Sequence, residues 1–276
     1  MTSELSPTEQ LRRSIDLLWG GTERPARGPK PTLTLDRIVD AAIAVADRDG
    51  TAAISMRRVA GELGVGAMTL YRYVPGKAEL LALMLDRVSG PGDEAVRAAD
   101  KGWRELLTAV AHDSYRLHLA HPWLLQVNWT RPVMGPNSLA GAEIVVAALA
   151  DLGLTSQERI SVMITLDGFV TGYARHRILY DAAAEESGVS DEEFWSQHLP
   201  VLERAMTSGN YPAMAALAED AFDAGWDETF EFGLSCLLDG FAALFATRRS
   251  NPPAGMTGTD APGASFGETA PSAGCP

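Results

Sequence analysis

Cysteine is nearly absent from the chain, which has only Cys236 and Cys275 among its 276 residues. Two cysteines in this arrangement form neither a disulfide framework nor a metal-ligand spacing. The sequence also lacks a signal-peptide pattern, and we find no apolar run that we expect to be long enough to cross a bilayer. We therefore predict a cytoplasmic protein that does not enter the membrane.

β-strand patterns are scarce as well. After residue 91, alternation of apolar and polar residues never lasts beyond a few positions, and glycine or proline interrupts the sequence at helix-length intervals. The pattern predicts helices near residues 96–120, 122–129, 138–152, 156–184, 191–208 and 226–249. Because the chain exceeds one small domain, we expect an all-α protein with a small module and a larger helical body.

Residues 55–77 contain a pattern of two short helices around a tight turn. Val59 and Leu63 lie four residues apart before the turn, and Leu70 and Val74 repeat that spacing after it. Both helices can therefore bury one face in a common core. The other side chains of the second helix include hydroxyl groups, a cationic group and a long apolar chain. This composition is typical of a helix-turn-helix that enters a DNA major groove.

The distribution of charge supports this interpretation. The whole chain has a formal net charge of −13, yet residues 55–77 contain four basic residues and one acidic residue. Residues 91–276 contain 11 basic and 25 acidic residues. Since phosphate neutralisation supplies most non-specific DNA affinity, an acidic protein that binds DNA must concentrate its cations on one face. The acidity belongs to the second region of the chain.

Residues 35–88 resemble the DNA-binding domain of the tetracycline-repressor (TetR) family. The likeness is carried by LDRIVDAA through DG at 35–50, RRVAGELGV at 57–65 and TLYRYVPGKAELL at 69–81, and it is ungapped over 55–77. It implies a three-helix domain that binds an operator in double-stranded DNA. By this resemblance the DNA-facing residues are Ser55, Arg57, Ala67, Met68, Thr69, Tyr71, Tyr73 and Lys77.

One departure from the family concerns sequence specificity. Gly66, Ala67 and Met68 present no hydrogen-bonding side chain where relatives often place one. We expect base recognition to depend on methyl contacts and on Arg57 or Arg72, because a bidentate arginine–guanine pair is the commonest specific contact.

Residues 103–180 resemble the regulatory domain of tetracycline repressors, through HPW at 121–123, TRP at 130–132 and LDGFVTG at 166–172. The resemblance implies a small-molecule cavity and dimerisation through the last long helices as a four-helix bundle. In that family, two positions help to hold a magnesium–drug chelate. Here they fall at Val127 or Asn128 and near His176, which supply too few oxygen ligands for a hard cation. We therefore expect no metal and no cofactor.

An apolar or aromatic effector is expected instead. The apolar candidates for the cavity are Trp103, Trp123, Trp129, Met134, Met163 and Tyr173. The polar candidates are His118, Asn128, Asp167 and His176. A tryptophan or methionine at helical spacing belongs more often to an ordinary core, so that alternative stays open for each apolar candidate.

An enzyme is the opposing hypothesis. His112, His118 and His121 lie along one predicted helix, and the last two share a face, so a metal- or histidine-dependent site is conceivable. However, no carboxylate or cysteine falls at a recognised ligand spacing around them, and no phosphate loop or nucleophile elbow is present. The sequence favours a homodimeric transcription regulator, a repressor whose operator affinity falls when a small molecule binds.

An extension precedes the module. Ser6, Pro7 and Glu9 form a helix start, and the following basic segment is either a solvated linker or an arm that touches DNA. The composition after residue 250 predicts a disordered tail. The predicted extension, DNA-binding domain, ligand-binding and dimerisation domain, and tail cover residues 1–32, 33–90, 91–250 and 251–276.

Overall fold

The computed structural model describes residues 6–20, 33–127, 134–218 and 220–250. Within these ranges the regular structure is helical and includes no strand, which confirms the all-α prediction. The helices are α1 (Pro7–Gly20), α2 (Leu35–Asp49), α3 (Met56–Glu62), α4 (Ala67–Leu70), α5 (Lys77–Val88), α6 (Asp93–Ala98), α7 (Trp103–Ala120), α8 (Pro136–Ala148), α9 (Ser156–Ser187), α10 (Asp191–Thr207), α11 (Pro212–Ala215) and α12 (Trp226–Ser250).

Helices α2 to α5 enclose the first core. Val59 of α3, Leu70 of α4 and Leu80 of α5 are fully buried in it. The Ser55 hydroxyl caps α3 by accepting a hydrogen bond from the backbone N–H of Arg58 at 3.2 Å. Gly64 has a φ of 66°, the left-handed conformation that ends α3 and turns the chain toward α4. The local sequence therefore determines this helix-turn-helix.

Helix α1 packs along α5 on the outside of this core. Its start is the capping box expected from the sequence, because the Ser6 N–H and hydroxyl both donate to Glu9 and the Glu9 N–H donates to Ser6 Oγ. Leu18 near its end is buried in the first core. The basic segment after Gly20, and the tail after residue 250, lie outside the described residues.

The second core is formed mainly by α7, α9 and α12. Leu107 of α7, Val170 of α9 and both Phe230 and Phe245 of α12 are buried there. Helix α8 packs against α7 and α9.

Several predicted helix bounds are corrected by the structure. The single helix expected over 96–120 is divided into α6 and α7, because Gly102 has a φ of 105° between them. The helix expected over 122–129 is a short 3-10 helix, Pro122–Gln126. The helix expected over 138–152 is shifted and spans Pro136–Ala148. The remaining three differ from their predicted bounds by at most three residues at one end.

Helix α12 is long and apolar enough to cross a membrane by length and composition alone. Its most apolar 18-residue window has a mean hydropathy of 1.4, and only 28% of that window is buried. The sequence-based expectation that no segment reaches this length and apolarity is therefore wrong. One face of α12 packs into the second core through Leu234, Phe241 and Phe245, whereas Phe232 on another face is 71% exposed.

Candidate functional site

The α3–turn–α4 segment presents its non-core side chains to solvent. Leu70 is fully buried, and this fixes the orientation of α4 so that Met68 is 77% exposed and Tyr71 is also exposed. Ser55, Arg57 and Arg72 are exposed, while Ala67 and Thr69 are partly exposed. These residues form one accessible surface with the composition expected for a DNA-binding face.

The cations around this surface fall into two groups. Arg58 lies 2.9 Å from Asp49 and Arg48 lies 3.1 Å from Glu62, so these two guanidiniums are paired within the domain. The hydrogen bond from Arg58 lowers the pKa of the Asp49 carboxyl from its ordinary value. Arg57 and Arg72 make no ion pair with any described residue. Their charges are therefore available to a phosphate or a base edge.

Lys77 stands at the first position of α5. Its Nζ donates a hydrogen bond to the backbone carbonyl of Thr51 at 3.0 Å, yet the residue remains exposed. An ammonium group has three donors, so two remain for an external phosphate.

Tyr73 differs from the other predicted DNA-facing residues. Its ring is half-buried against the first core, and its hydroxyl donates to the backbone carbonyl of Leu33 at 3.2 Å. The side chain therefore anchors the residues before α2 to the turn that follows α4. The resemblance placed Tyr73 on the DNA face, and the packing directs its hydroxyl inward instead.

A cavity of about 1120 Å³ lies beside the carboxyl end of α5. Its walls come from the end of α5, the connection to α6, and helices α7, α8 and α9. Most wall atoms are apolar, for example those of Val110, Leu117, Val145 and Leu166. This volume is slightly above the usual range for small-molecule sites, about 300–1,000 Å³.

Three of the predicted ligand residues line this cavity: His118, Met163 and Asp167. His118 Nδ1 lies 2.8 Å from the backbone carbonyl of Ser114. Since a carbonyl only accepts, Nδ1 carries the proton that forms this hydrogen bond, and Nε2 is left for another partner. Enclosure by protein raises the pKa of the Asp167 carboxyl from its ordinary value, while His118 acts in the opposite direction. The cavity therefore places an imidazole near a carboxyl group whose ionisation is made less favourable by burial.

Trp123 was predicted to line the cavity and does not. It is 1% exposed within the first core, and its indole Nε1 donates to Asp47 Oδ1 of α2 at 2.7 Å. His121 Nδ1 lies 2.7 Å from the same oxygen. The HPW segment thus joins the second region of the chain to the DNA-binding domain.

Four other predicted ligand residues that the structure describes are also outside the cavity wall. Trp103 packs edge-on against Phe245 with ring centroids 4.7 Å apart. The Tyr173 hydroxyl donates to the Thr229 carbonyl at 3.1 Å, so its ring belongs to the second core. Met134 and His176 are exposed at other positions. Asn128 and Trp129 lie outside the described residues.

The three histidines of the enzyme hypothesis have separate partners. His112 Nε2 lies 2.6 Å from Glu231, His118 contacts Ser114, and His121 contacts Asp47. The described ranges contain no group of three or more His, Cys, Asp or Glu side chains that could hold a metal ion. The partners lie on α12, on α7 itself and on α2, so the three histidines do not share one site.

Sequence reasoning missed several cavity residues. Leu117 lies one helical turn after Ser114 on α7, and Arg175 lies two turns after Gly168 on α9. Ser114 lies four residues before His118 and Arg175 lies eight residues after Asp167, so helical spacing from the predicted residues was a usable signal. Arg87 also lines the cavity, and it forms an ion pair with Asp36 of α2. No local pattern indicated that contact.

Comparison with known proteins agrees with this geometry. Residues 97–245 match the family profile described as Tetracyclin repressor-like, C-terminal domain, and residues 38–84 match Bacterial regulatory proteins, tetR family. The chain is 48% identical over 248 residues to the HTH-type transcriptional repressor DrrR1 of Streptomyces coeruleorubidus, covering 90% of this chain and 92% of that protein. It is 26% identical over 208 residues to the tetracycline repressor protein class A from transposon 1721 of Escherichia coli, covering 74% and 88%.

Solved structures of ActR from Streptomyces coelicolor are also similar. The ligand-free protein superposes with a TM-score of 0.60 at 27% identity, and the complex with actinorhodin with a TM-score of 0.58 at 28% identity. Both matches cover 79% of this chain and 99% of ActR. The chain is thus a helix-turn-helix DNA-binding transcriptional regulator and not an enzyme. Within that class it belongs to the tetracycline-repressor (TetR) family.

Proposed function

We propose that this protein is a homodimeric repressor that leaves a palindromic operator when a small apolar or aromatic molecule enters the cavity. The observation that carries this proposal is the cavity of about 1120 Å³ where the end of α5 and its connection to α6 meet helices α7, α8 and α9. A ligand at that position touches the connection between the two regions. It can therefore favour one arrangement of the DNA-binding domain over another.

The chemistry of the cavity supports a ligand with a few hydroxyl or carbonyl groups. His118 and Asp167 provide an imidazole and a carboxyl group in the wall, and both can form hydrogen bonds to such groups. The remaining wall is largely apolar. ActR, which is 28% identical, is known in complex with actinorhodin, and DrrR1 is named a repressor. The ActR complex supports binding of a small molecule, and the name of DrrR1 supports repression.

The DNA face of the repressor consists of Ser55, Arg57, Ala67, Met68, Thr69, Tyr71, Arg72 and Lys77. Two such faces related by a two-fold axis read two half-sites about 34 Å apart. Arg57 and Arg72 have no ion-pair partner among the described residues, so they are the candidates for guanine recognition. As a DNA-binding regulator the protein works in the cytoplasm, where the bacterial chromosome lies.

Exposed apolar side chains on α9 and α12 support the dimer. Phe232 is 71% exposed, and Ile160 and Ile164 are exposed on α9. A partner's α9 and α12 would cover these side chains, and this accounts for an apolar α12 in which so little surface is buried. Ile164→Asp and Phe232→Asp should yield monomers in light scattering after size exclusion. If both variants stayed dimeric, the dimer would use another face.

The test of operator binding is a selection of bound duplexes from a random pool by the purified full chain. We expect one palindromic motif. Tyr71→Phe should weaken binding to that motif while the dimer stays intact, and Tyr211→Phe, which changes an exposed tyrosine between α10 and α11, is the matched control. Recovery of no motif from protein that was refolded without ligand would contradict the proposal.

A further inference from the structure

The first turn of α8 is capped by a carboxylate from a different helix. Asp86 on α5 is 3% exposed and accepts hydrogen bonds from Ser138 N at 3.0 Å, Ser138 Oγ at 3.1 Å and Asn137 Nδ2 at 3.0 Å, with Asn137 N at 3.4 Å. Helix N-terminal N–H groups have no partner within their own helix, and a carboxylate satisfies them strongly. Helix α8 therefore depends for its cap on α5.

The backbone before α8 is adapted to this contact. A Cβ at Gly135 would lie 2.2 Å from Asp86 Oδ1, far inside van der Waals contact. Only glycine permits the chain to approach the carboxylate this closely. The cap is therefore a close fit between α5 and the residues that start α8.

Helix α1 also contacts the residues that precede α8. The Trp19 indole Nε1 donates to the backbone carbonyl of Met134 at 3.0 Å, one residue before Gly135. Leu18 beside it is buried in the first core, where α1 packs along α5. The extension thus connects α5 to the start of α8. We call Trp19, Asp86 and residues 134–138 the α8 junction.

The α8 junction lies between the cavity and the DNA-binding domain. Ser138, which Asp86 caps, lines the cavity, as do Gly141 of α8 and Arg87, the residue after Asp86. On the other side, α5 contributes Leu80 and Met84 to the core of the DNA-binding domain. A displacement of the cavity wall at α8 must therefore move α5 or break the cap.

We propose that Trp19 and Asp86 are positioning residues that fix the orientation of the DNA-binding domain relative to the ligand cavity. This makes α1 part of the regulatory device rather than a tether. The inference rests on the proposed dimeric repressor. Neither residue belongs to the DNA face or lines the cavity, so an effect on operator affinity has to pass through the α8 junction.

A weakened α8 junction should broaden the range of separations between the two DNA-binding domains of a dimer. Only dimers whose two DNA-binding domains are separated by the half-site spacing can bind the operator. The apparent operator affinity therefore falls as the fraction of such dimers falls. Removing the indole donor or the carboxylate charge should therefore weaken operator binding about 3- to 10-fold.

The experiment measures the distance between the two DNA-binding domains by pulsed electron spin resonance. A nitroxide is attached at Ala44→Cys, an exposed position on α2, in a Cys236→Ser, Cys275→Ser background of the full chain. Trp19→Phe keeps an aromatic ring without the donor, and Asp86→Asn keeps the shape without the charge. Leu11→Ala, an exposed apolar position on α1, is the matched control.

We expect one narrow distance peak in the parent and in Leu11→Ala, and a broadened or displaced peak in both Trp19→Phe and Asp86→Asn. Distance distributions that superimpose on the parent's, together with unchanged affinity for the selected operator, would overturn the inference. A purely stabilising role would lower the melting temperature and leave the peak of the folded dimer unchanged, which also counts against it. A parent without a dipolar signal would instead refute the proposed dimer.

Discussion

Trp123→Phe should weaken the attachment of the helical body to the DNA-binding domain. Trp123 is 1% exposed, and its indole donates to Asp47 Oδ1 at 2.7 Å. A hydrogen bond to a charged group contributes about 1.5–3 kcal/mol. The Asp47 side chain is 31% exposed, so solvent screening places the loss near the lower value. The smaller ring adds about 1 kcal/mol for the void.

A double-mutant cycle separates these two contributions. The four proteins are the parent, Trp123→Phe, Asp47→Ala and the double variant, and the measured quantity is the free energy of unfolding in urea at one protomer concentration. The interaction energy should be about 1.5 kcal/mol, because only the hydrogen bond depends on both residues. His121 also contacts Asp47, but this contact is lost whenever Asp47→Ala is introduced, in the parent and in Trp123→Phe alike. Its loss therefore cancels in the interaction energy.

The reasoning fails if Trp123→Phe costs the same in the presence and in the absence of Asp47. That result would mean that the indole contributes only by filling space. Trp103→Phe is the internal control, because Trp103 packs on Phe245 in the second core and its substitution should not interact with Asp47→Ala.

Three further predictions concern charge, packing and pH. Lys77→Ala should reduce the slope of log affinity against log salt by about 1, measured by operator titration at several salt concentrations. Gly135→Ala should lower the unfolding free energy by about 1–3 kcal/mol, because the new Cβ collides with Asp86. Asp167→Asn should raise the unfolding free energy at pH 7, and the gain should vanish below about pH 4. The pKa of Asp167 is raised in the folded protein, so the carboxyl group destabilises the fold at pH values where it is ionised in the unfolded chain. Below the pKa of the unfolded chain the carboxyl is protonated in both states, and this destabilisation disappears.

The DNA-binding segment could be predicted because its determinants are local. The spacing of Val59, Leu70 and Val74 identified the faces that the structure buries. Gly64 has the positive φ expected at a helix end. Tyr73 was the exception, since its inward direction depends on a contact with Leu33 that is 40 residues away.

The cavity residues were only partly predictable. His118, Met163 and Asp167 line the cavity, whereas Trp103, Trp123 and Tyr173 are core residues. Any large apolar side chain on an amphipathic helix gains by burial, whether it faces a cavity or a packed interior. Composition and spacing do not distinguish these two environments.

The sequence by itself determined the helical class, the helix-turn-helix and the separation of a basic segment from an acidic body, because these follow from periodicity, caps and charge within short stretches. Only the tertiary structure decided where the cavity lies and how it is connected to the DNA-binding domain. Asp86 meets Ser138 across 52 residues, Asp47 meets Trp123 across 76 and Trp19 meets Met134 across 115. Such pairs depend on how the helices pack, and no local pattern records which buried carboxylate or indole will face which helix end.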